Sequence, residues 1–128
     1  MEKIKDPATW RRTVYRFVVR SVPNPFLECM DCADPNIHTP ARTTTLSALQ
    51  ALALLNDPFM IVQAEHFTDR LRGISHEPSE QIEAAYRLCF GRLPRSDEQA
   101  SLVAYVHKHG LANACRLLWN TNEFLFID

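Results

Sequence analysis

The chain after residue 43 is interrupted at intervals that suit short helices, and these interruptions restrict the fold more than any other feature of the sequence. Asn56-Asp57-Pro58 ends one apolar segment and starts the next, because aspartate is a preferred helix N-cap and proline is tolerated at the first helical position. Gly91 and Gly110 follow apolar segments, at positions where helices commonly end in left-handed backbone. The sequence therefore predicts several short helices separated by tight connections.

Apolar residues between these breaks recur at the spacing of one helix face. Between Pro78 and Gly91, four of them follow the i, i+3, i+4, i+7 pattern. In chain order, the predicted apolar faces are Leu46, Leu49, Leu52, Ala53 and Leu55; Met60, Ala64, Phe67 and Leu71; Ile82, Ala85, Tyr86 and Cys89; Leu102, Val103 and Val106; and Leu111, Ala114, Cys115 and Leu118. The two cysteines in these faces are expected to act as small buried hydrophobes. We therefore predict a mainly α fold, an irregular bundle of about five short helices.

Polar residues at the predicted helix starts can satisfy the first backbone N–H groups. Thr44 or Thr45 is expected to cap the first helix. Ser96 and Gln99 stand three residues apart and are expected to form a capping box for the fourth. The first helix is apolar almost all round, which is typical of a helix enclosed by other polypeptide.

The first 43 residues lack this helical pattern. Residues 10–21 alternate between two faces and are predicted to form an extended or strand-like segment, although a helix would also gather several of their apolar side chains. Residues 23–43 hold four of the eight prolines and are predicted to form a Pro-rich loop. We expect one helical domain over residues 1–128, itself part of a larger one. The extended segment and loop would cover 1–43, and the helical bundle 44–128.

Charge and hydropathy argue against two classes of function. The chain has 14 Lys and Arg against 15 Asp and Glu, so it lacks the basic excess that binds phosphate backbones, and no nucleic-acid partner is expected. The most apolar stretch, residues 48–55, is much shorter than the ~20 residues that a transmembrane helix needs, so no membrane span is expected. No signal-peptide core is present near Met1 either, and the residues themselves leave the localisation open.

Arginines of the N-terminal region are the candidate binding groups. Guanidinium groups match the oxygens of sulfate and carboxylate, so these residues would suit an acidic polysaccharide. The favoured interpretation is that they pair with Glu28, Asp31 or Asp34 and fix the loop against the first segment, with Asp31 and Asp34 as candidate members of a charged network. The candidate anion-binding residues are Arg12, Arg16, Arg20 and Arg42.

Cys29 and Cys32 have the C-x-x-C spacing and are candidate redox thiols, as a redox-active dithiol or a local disulfide, but the favoured interpretation is that they are unpaired loop thiols. Covalent haem attachment needs a histidine directly after the second cysteine, and Ala33 stands there instead. The five histidines show no pair at ligand spacing, so no metal site is predicted. His107 and His109 are expected near a helix C-terminus.

Several blocks of the sequence are similar to one known family. In order, they are Arg11-Arg12-Thr13-Val14-Tyr15-Arg16-Phe17, Pro23-x-Pro25, Asp31-Cys32-Ala33-Asp34-Pro35, Gln50-Ala51-Leu52, Leu54-Leu55-Asn56-Asp57, Gly91-Arg92-x-Pro94 and Asn120-x-Asn122-Glu123-Phe124-Leu125. Together they resemble the later part of the C-terminal domain of unknown function in large planctomycete cytochrome c-like proteins. The resemblance implies an exported, periplasmic multidomain protein. It also implies that haem lies in other modules and that this chain holds no cofactor.

No catalytic constellation stands out in the sequence, so whether the chain is part of an enzyme stays open. The leading hypothesis is a structural or interaction module whose partner is the remainder of its own domain or multidomain protein, because the helix over residues 46–55 is so apolar. Alternatively, the arginines and the loop around Asp31 and Asp34 contribute an anion- or glycan-binding surface to a carbohydrate-active or redox enzyme.

Overall fold

The described part of the chain contains seven helices. The computed structural model describes residues 6, 15, 24–30 and 47–126. The helices are α1 (Pro25–Cys29), α2 (Ala48–Asn56), α3 (Pro58–Arg72), α4 (Pro78–Phe90), α5 (Ser96–His109), α6 (Leu111–Trp119) and α7 (Asn122–Leu125). No strand occurs within these residues, and the predicted mainly helical fold is confirmed.

Helix α1 lies inside the predicted Pro-rich loop and corrects that prediction for its five residues. The side-chain oxygen of Asn24 accepts hydrogen bonds from the backbone N–H groups two and three residues further on, at 3.0 and 3.3 Å. Pro25 occupies the first helical position, so this proline starts a helix. The predicted extended segment, residues 10–21, lies outside the described residues apart from Tyr15, and so does the loop beyond residue 30.

A capping box opens α2. The Ser47 hydroxyl accepts a hydrogen bond from the backbone N–H of Gln50 at 3.2 Å, and the Gln50 side-chain oxygen accepts one from the backbone N–H of Ser47 at 2.8 Å. This reciprocal pair satisfies two of the donors that a helix leaves over at its N-terminus. Ser47 is therefore the cap, where the sequence predicted Thr44 or Thr45, because Ser47 stands three residues before a side chain that reaches back.

The limits of α3 and α4 follow the predicted signals. Asp57 caps α3 by accepting a hydrogen bond from the backbone N–H of Phe59 at 2.8 Å, with Pro58 at the first helical position. Helix α4 begins at Pro78 and ends at Gly91, whose φ is 70°. Left-handed backbone favours glycine, which lacks a Cβ. The predicted C-cap is thus confirmed.

The chain divides into two compact units, Met1–Ala53 and Leu54–Asp128, and the boundary falls within α2. In the second unit, α3 packs along α6 and against α4, while α5 packs against α4 and α6. The short helix α7 packs against the ends of α4 and α6. The core and the charged cluster described below both belong to the second unit.

One face each of α3, α4 and α6 forms the core of the second unit. Its buried residues are Ala64, Leu71, Ile82, Ala85, Tyr86, Leu111, Cys115 and Leu118. Every one of them lies on an apolar face predicted from the helical period. Helix α5 contributes no fully buried residue, and its predicted apolar face packs half-buried against this core. The periodic pattern therefore located the core correctly.

Arg116 of α6 closes the C-terminal end of α2. Helix α2, which is described in full, has no basic residue in its last turn, and the last carbonyls of any helix lack partners within it. The Arg116 Nε–H donates to the Leu55 carbonyl at 2.8 Å, and its Nη2 group donates to the same oxygen. Its Nη1 group donates to the side-chain oxygen of Asn113 at 2.8 Å. A residue of another helix therefore supplies this C-cap.

We expect the substitution Leu71→Ala to lower the free energy of unfolding by about 2–5 kcal/mol, the usual range for a buried leucine. Leu71 is fully buried in the core, so the lost methyl groups would leave a cavity. Urea unfolding followed by circular dichroism measures the change. Leu88→Ala is the matched control, because Leu88 is an exposed leucine on α4 and its truncation should cost below about 1 kcal/mol. Equal losses in the two variants would contradict the described core.

Candidate functional site

A cluster of charged side chains around Arg92 joins three elements of the second unit. Arg92 directly follows Gly91 in the turn between α4 and α5, Glu98 lies in the first turn of α5, and Glu123 lies in α7. The left-handed backbone at Gly91 ends α4 and so places Arg92 in this turn. We call Arg92, Glu98 and Glu123 the Arg92 cluster.

Two carboxylates accept hydrogen bonds from the Arg92 guanidinium, one on each side of it. Glu123 accepts hydrogen bonds from Nε at 2.6 Å and from Nη2 at 2.7 Å. Glu98 accepts from Nη1 at 2.9 Å and from Nη2 at 3.0 Å. The Leu93 carbonyl accepts a further bond from Nη1 at 3.0 Å. These five contacts engage all of the N–H groups that a guanidinium carries, so the arginine has no donor left over.

Aromatic rings form one wall of the Arg92 cluster. The guanidinium carbon lies 5.1 Å from the ring centroid of Tyr86 and 5.8 Å from that of Phe90, which are cation–π distances. The Phe90 ring meets the Phe124 ring edge-on at 6.5 Å, and Phe124 in turn lies 6.5 Å from Trp119. The charged contacts and the aromatic contacts of α7 therefore lie next to each other, and both attach α7 to the second unit.

The hydrogen bonds of the Arg92 cluster keep its members charged. The bonds from Arg92, followed by the backbone bond from Arg95, lower the pKa of Glu98 from 4.5 to about 2. The bonds from Arg92 also lower the pKa of Glu123, and the two carboxylates raise the pKa of Arg92. General acid–base catalysis needs a group with a pKa near the working pH. The cluster is therefore suited to holding chain segments and recognising a carboxylate, rather than to proton transfer.

Glu98 corrects the predicted capping of α5. Its carboxylate accepts a hydrogen bond from the backbone N–H of Arg95 at 2.7 Å, which makes Arg95 the N-cap residue. The prediction placed this box one residue later, at Ser96 and Gln99. The Gln99 amide instead donates to the Glu83 carboxylate on α4 at 3.1 Å. Because an arginine side chain has no acceptor, Glu98 alone performs the capping at this helix start.

The cysteines in the predicted apolar faces behave as expected. Cys115 is fully buried, and burial raises the pKa of its thiol to about 12. Cys89 is half-buried, and burial likewise raises its thiol pKa, although a contact with Trp119 opposes the shift. A thiol becomes a nucleophile only as the thiolate, so both groups are suited to packing rather than to redox chemistry.

The candidate site residues predicted in the N-terminal region fall almost entirely outside the described residues. Those outside are Arg12, Arg16, Arg20, Arg42, Asp31, Asp34 and Cys32. Cys29 is described: it ends α1 as a half-buried free thiol. The anion-binding surface, the loop network and the redox pair therefore stay predictions.

The described part of the chain contains neither a metal-binding cluster nor a membrane-spanning helix. Within it, no group of three or more His, Cys, Asp or Glu side chains is arranged to hold a metal ion. None of the described helices has the length and apolar character needed to cross a membrane. His107 and His109 lie in the last turn of α5, as predicted, and the His109 ring packs on Tyr105 at 4.5 Å.

Comparison with known proteins places the chain in a family. The model of the family PSD1, described as "Protein of unknown function (DUF1553)", matches residues 1–106. The chain belongs to the DUF1553 family. The comparisons with curated proteins and with solved structures found no match. The predicted resemblance to a domain of unknown function is confirmed, and the DUF1553 match includes Arg92 and Glu98 but ends before Glu123.

Sequence reasoning missed the chemistry of the Arg92 cluster in this DUF1553 chain. Arg92 and Glu123 stood in two of the blocks that carried the family resemblance, but nothing in either block indicated that they meet. The two residues are 31 positions apart, so no helical or strand period connects them. The available signal was local: an arginine directly after a C-cap glycine, followed six residues later by a glutamate at the start of the next helix.

We expect Arg92→Lys to lower the free energy of unfolding by about 1–2 kcal/mol. That range lies between the values for exposed and buried ion pairs, because the side chains of Arg92, Glu98 and Glu123 are 35%, 19% and 46% exposed. A lysine has one ammonium group and cannot form bidentate pairs with two carboxylates. Urea unfolding gives the difference. Arg95→Lys is the matched control, since the Arg95 side chain is mostly exposed, and a cost equal to that of Arg92→Lys would contradict the central role of Arg92.

The pH dependence of stability tests Glu98 in particular. A carboxyl whose pKa is lowered by folding stabilises the protein above its unfolded pKa, and this stabilisation is lost as the pH falls through the folded pKa. With pKa values of 4.5 and about 2, the advantage of the native chain over Glu98→Gln should be complete at pH 6 and should shrink between pH 4.5 and pH 2. Urea unfolding at several pH values measures this advantage.

The control for this pH series is Asp97→Asn. Asp97 lies in the same turn of α5, is largely exposed, and approaches Arg95 only at 3.8 Å. Its substitution should change the free energy of unfolding by less than about 0.5 kcal/mol at each pH. A Glu98→Gln difference that stays constant from pH 6 to pH 2 would refute the role assigned to Glu98.

Proposed function

We propose that this chain is a structural and interaction module that docks against further polypeptide through the apolar side of α2. The observation that carries the proposal is the exposure of two leucines of that helix, Leu49 and Leu52, whose surfaces are 65% and 57% exposed. Single exposed apolar residues are common on protein surfaces. These two, however, stand three residues apart and so project from one side of a helix.

The helix that presents these leucines is well formed at both ends. The capping box between Ser47 and Gln50 starts it, and Arg116 closes it at the Leu55 carbonyl. Exposed leucines on a capped helix form a defined apolar surface, and covering them would contribute about 1.5–3 kcal/mol for each side chain fully buried. This arrangement supports a docking role.

The context that we propose is the one implied by the family resemblance. The chain would be part of a larger domain in an exported, periplasmic multidomain protein of the planctomycete cytochrome-associated kind. Its partner would be the remainder of that protein, in which the haem belongs to other modules. In support, the chain belongs to a family of unknown function, and the charged cluster that it contains is suited to holding segments together.

The binding of an apolar dye to the exposed leucines of α2 tests the proposal. The double variant Leu49→Gln/Leu52→Gln should reduce the fluorescence of bound anilinonaphthalene sulfonate by at least about half, because it removes the apolar surface. Its stability should stay within about 1 kcal/mol of the native chain, since glutamine is a good helix former. The matched control is Ile74→Gln/Leu88→Gln, two exposed apolar residues in a turn and on α4, which should leave most of the dye signal.

Hydrogen exchange supplies the second measurement. The amides of α2 should exchange more slowly when the chain is part of its longer natural protein than when it is isolated, because a docked helix opens less often. Unchanged exchange of α2 between the two settings would refute the docking role. So would a native chain that binds no dye and remains monomeric at high concentration.

A further inference from the structure

The Arg92 guanidinium has partners on both sides, so Glu123 is not the only group that orients it. Glu98 and the Leu93 carbonyl together engage both N–H groups of Nη1 and one of Nη2. The remaining edge is formed by Nε–H and the other Nη2–H. These two parallel donors match the two oxygens of a carboxylate and can bind it in a bidentate manner. The start of α5 and the turn after α4 help to orient this edge, and neither of them belongs to α7.

The Arg92 edge itself calls for a carboxylate, and the residue after Glu123 lies between aromatic rings. Arg95 contacts Glu98 at 3.3 Å and also has Asp97 at 3.8 Å, so it adds no unbalanced positive charge at this edge. The Phe90 and Trp119 rings, which belong to α4 and α6, both contact the Phe124 ring, and the Phe90 ring also lies 5.8 Å from the Arg92 guanidinium carbon. A carboxylate followed directly by an aromatic ring therefore matches both features.

Helix α7, which places Glu123 at the Arg92 edge, buries little of its own surface. It has four residues and none of them is fully buried. Glu123 and Phe124 both remain exposed despite their contacts. Its attachment includes one carboxylate, one ring and the half-buried Leu125, which are contacts that a short bound peptide would make.

We propose that the edge of Arg92 now paired with Glu123 and the rings of Phe90 and Trp119 form a docking site for a partner peptide in which a glutamate or aspartate is followed by an aromatic residue. In the isolated chain, α7 fills this carboxylate–aromatic site as an internal, displaceable ligand. A separate partner fits better than a second copy of the chain, because the two-residue connection before α7 is tied back to α6. The Thr121 hydroxyl donates to the Leu118 carbonyl at 2.7 Å, and exchange of α7 between copies would require this turn to open.

This site shares no residue with the exposed side of α2. Its failure would leave the proposed docking role of α2 unaffected, and the reverse also holds.

Competition between α7 and an added peptide tests the proposal in the full chain. The probe is a fluorescent peptide with the sequence of residues 121–126, acetylated and amidated so that the glutamate is its only charged group. Its affinity, measured by fluorescence anisotropy, should be at least about tenfold higher for the Glu123→Gln chain than for the native chain, because the internal carboxylate no longer competes. Adding Arg92→Lys to Glu123→Gln should abolish this gain, and so should glutamine in place of the glutamate of the peptide.

Glu65→Gln is the matched control, since it removes an exposed carboxylate on α3, outside the site, and it should leave the affinity at the native value. An affinity for Glu123→Gln no higher than that for the native chain would overturn the proposal. So would an equal gain in the Arg92→Lys/Glu123→Gln chain.

Hydrogen exchange of the native chain avoids reliance on any variant. Saturating peptide should speed the exchange of residues 122–126 while leaving α4 and α6 unchanged, because only α7 is displaced. Unchanged exchange at millimolar peptide would refute displacement. Concentration-dependent dimers of the native chain that exclude the peptide would overturn the assignment to a separate partner and place a second copy in the site.

Discussion

The apolar faces of α3, α4 and α6 must be buried against one another, and the arrangement of the rest of the second unit depends on this burial. Helices of 9 to 15 residues, such as α3, α4 and α6, are marginally stable by themselves. Packed against each other, they remove Leu71, Ile82 and Cys115 from solvent completely. Since the apolar stripes determine how the helices pack, the polar groups at the helix ends have to find partners wherever the packing places them.

Two arginines meet that need in different ways. Arg116 donates to neutral oxygens, a carbonyl of α2 and an amide of its own helix. Arg92 donates to two carboxylates and one carbonyl, and it lies against aromatic rings. Both roles use the planar, branched geometry of guanidinium, which reaches several acceptors at once. Charge-assisted hydrogen bonds are about twice as strong as neutral ones, so Arg92 forms the firmer of the two connections.

The sequence predicted the local features well and the long-range ones poorly. The helical period located the buried faces of α3, α4 and α6, and the signals at Asp57 and Gly91 were confirmed, because each depends on residues within one or two turns. The same rules misplaced the caps of α2 and α5, since several nearby side chains can cap a helix and only the geometry selects among them. The meeting of Arg92 with Glu123 depends on how four helices pack, and no local pattern specifies that.

The bonds between Arg116 and Leu55 also alter how α2 comes apart. A short helix normally frays from its ends, one residue at a time and independently of its neighbours. At this end, however, the last turn of α2 cannot loosen unless donors from α6 are released in the same event. Gradual fraying is thereby replaced by cooperative opening, and the final turn of α2 becomes part of the same foldon as α6.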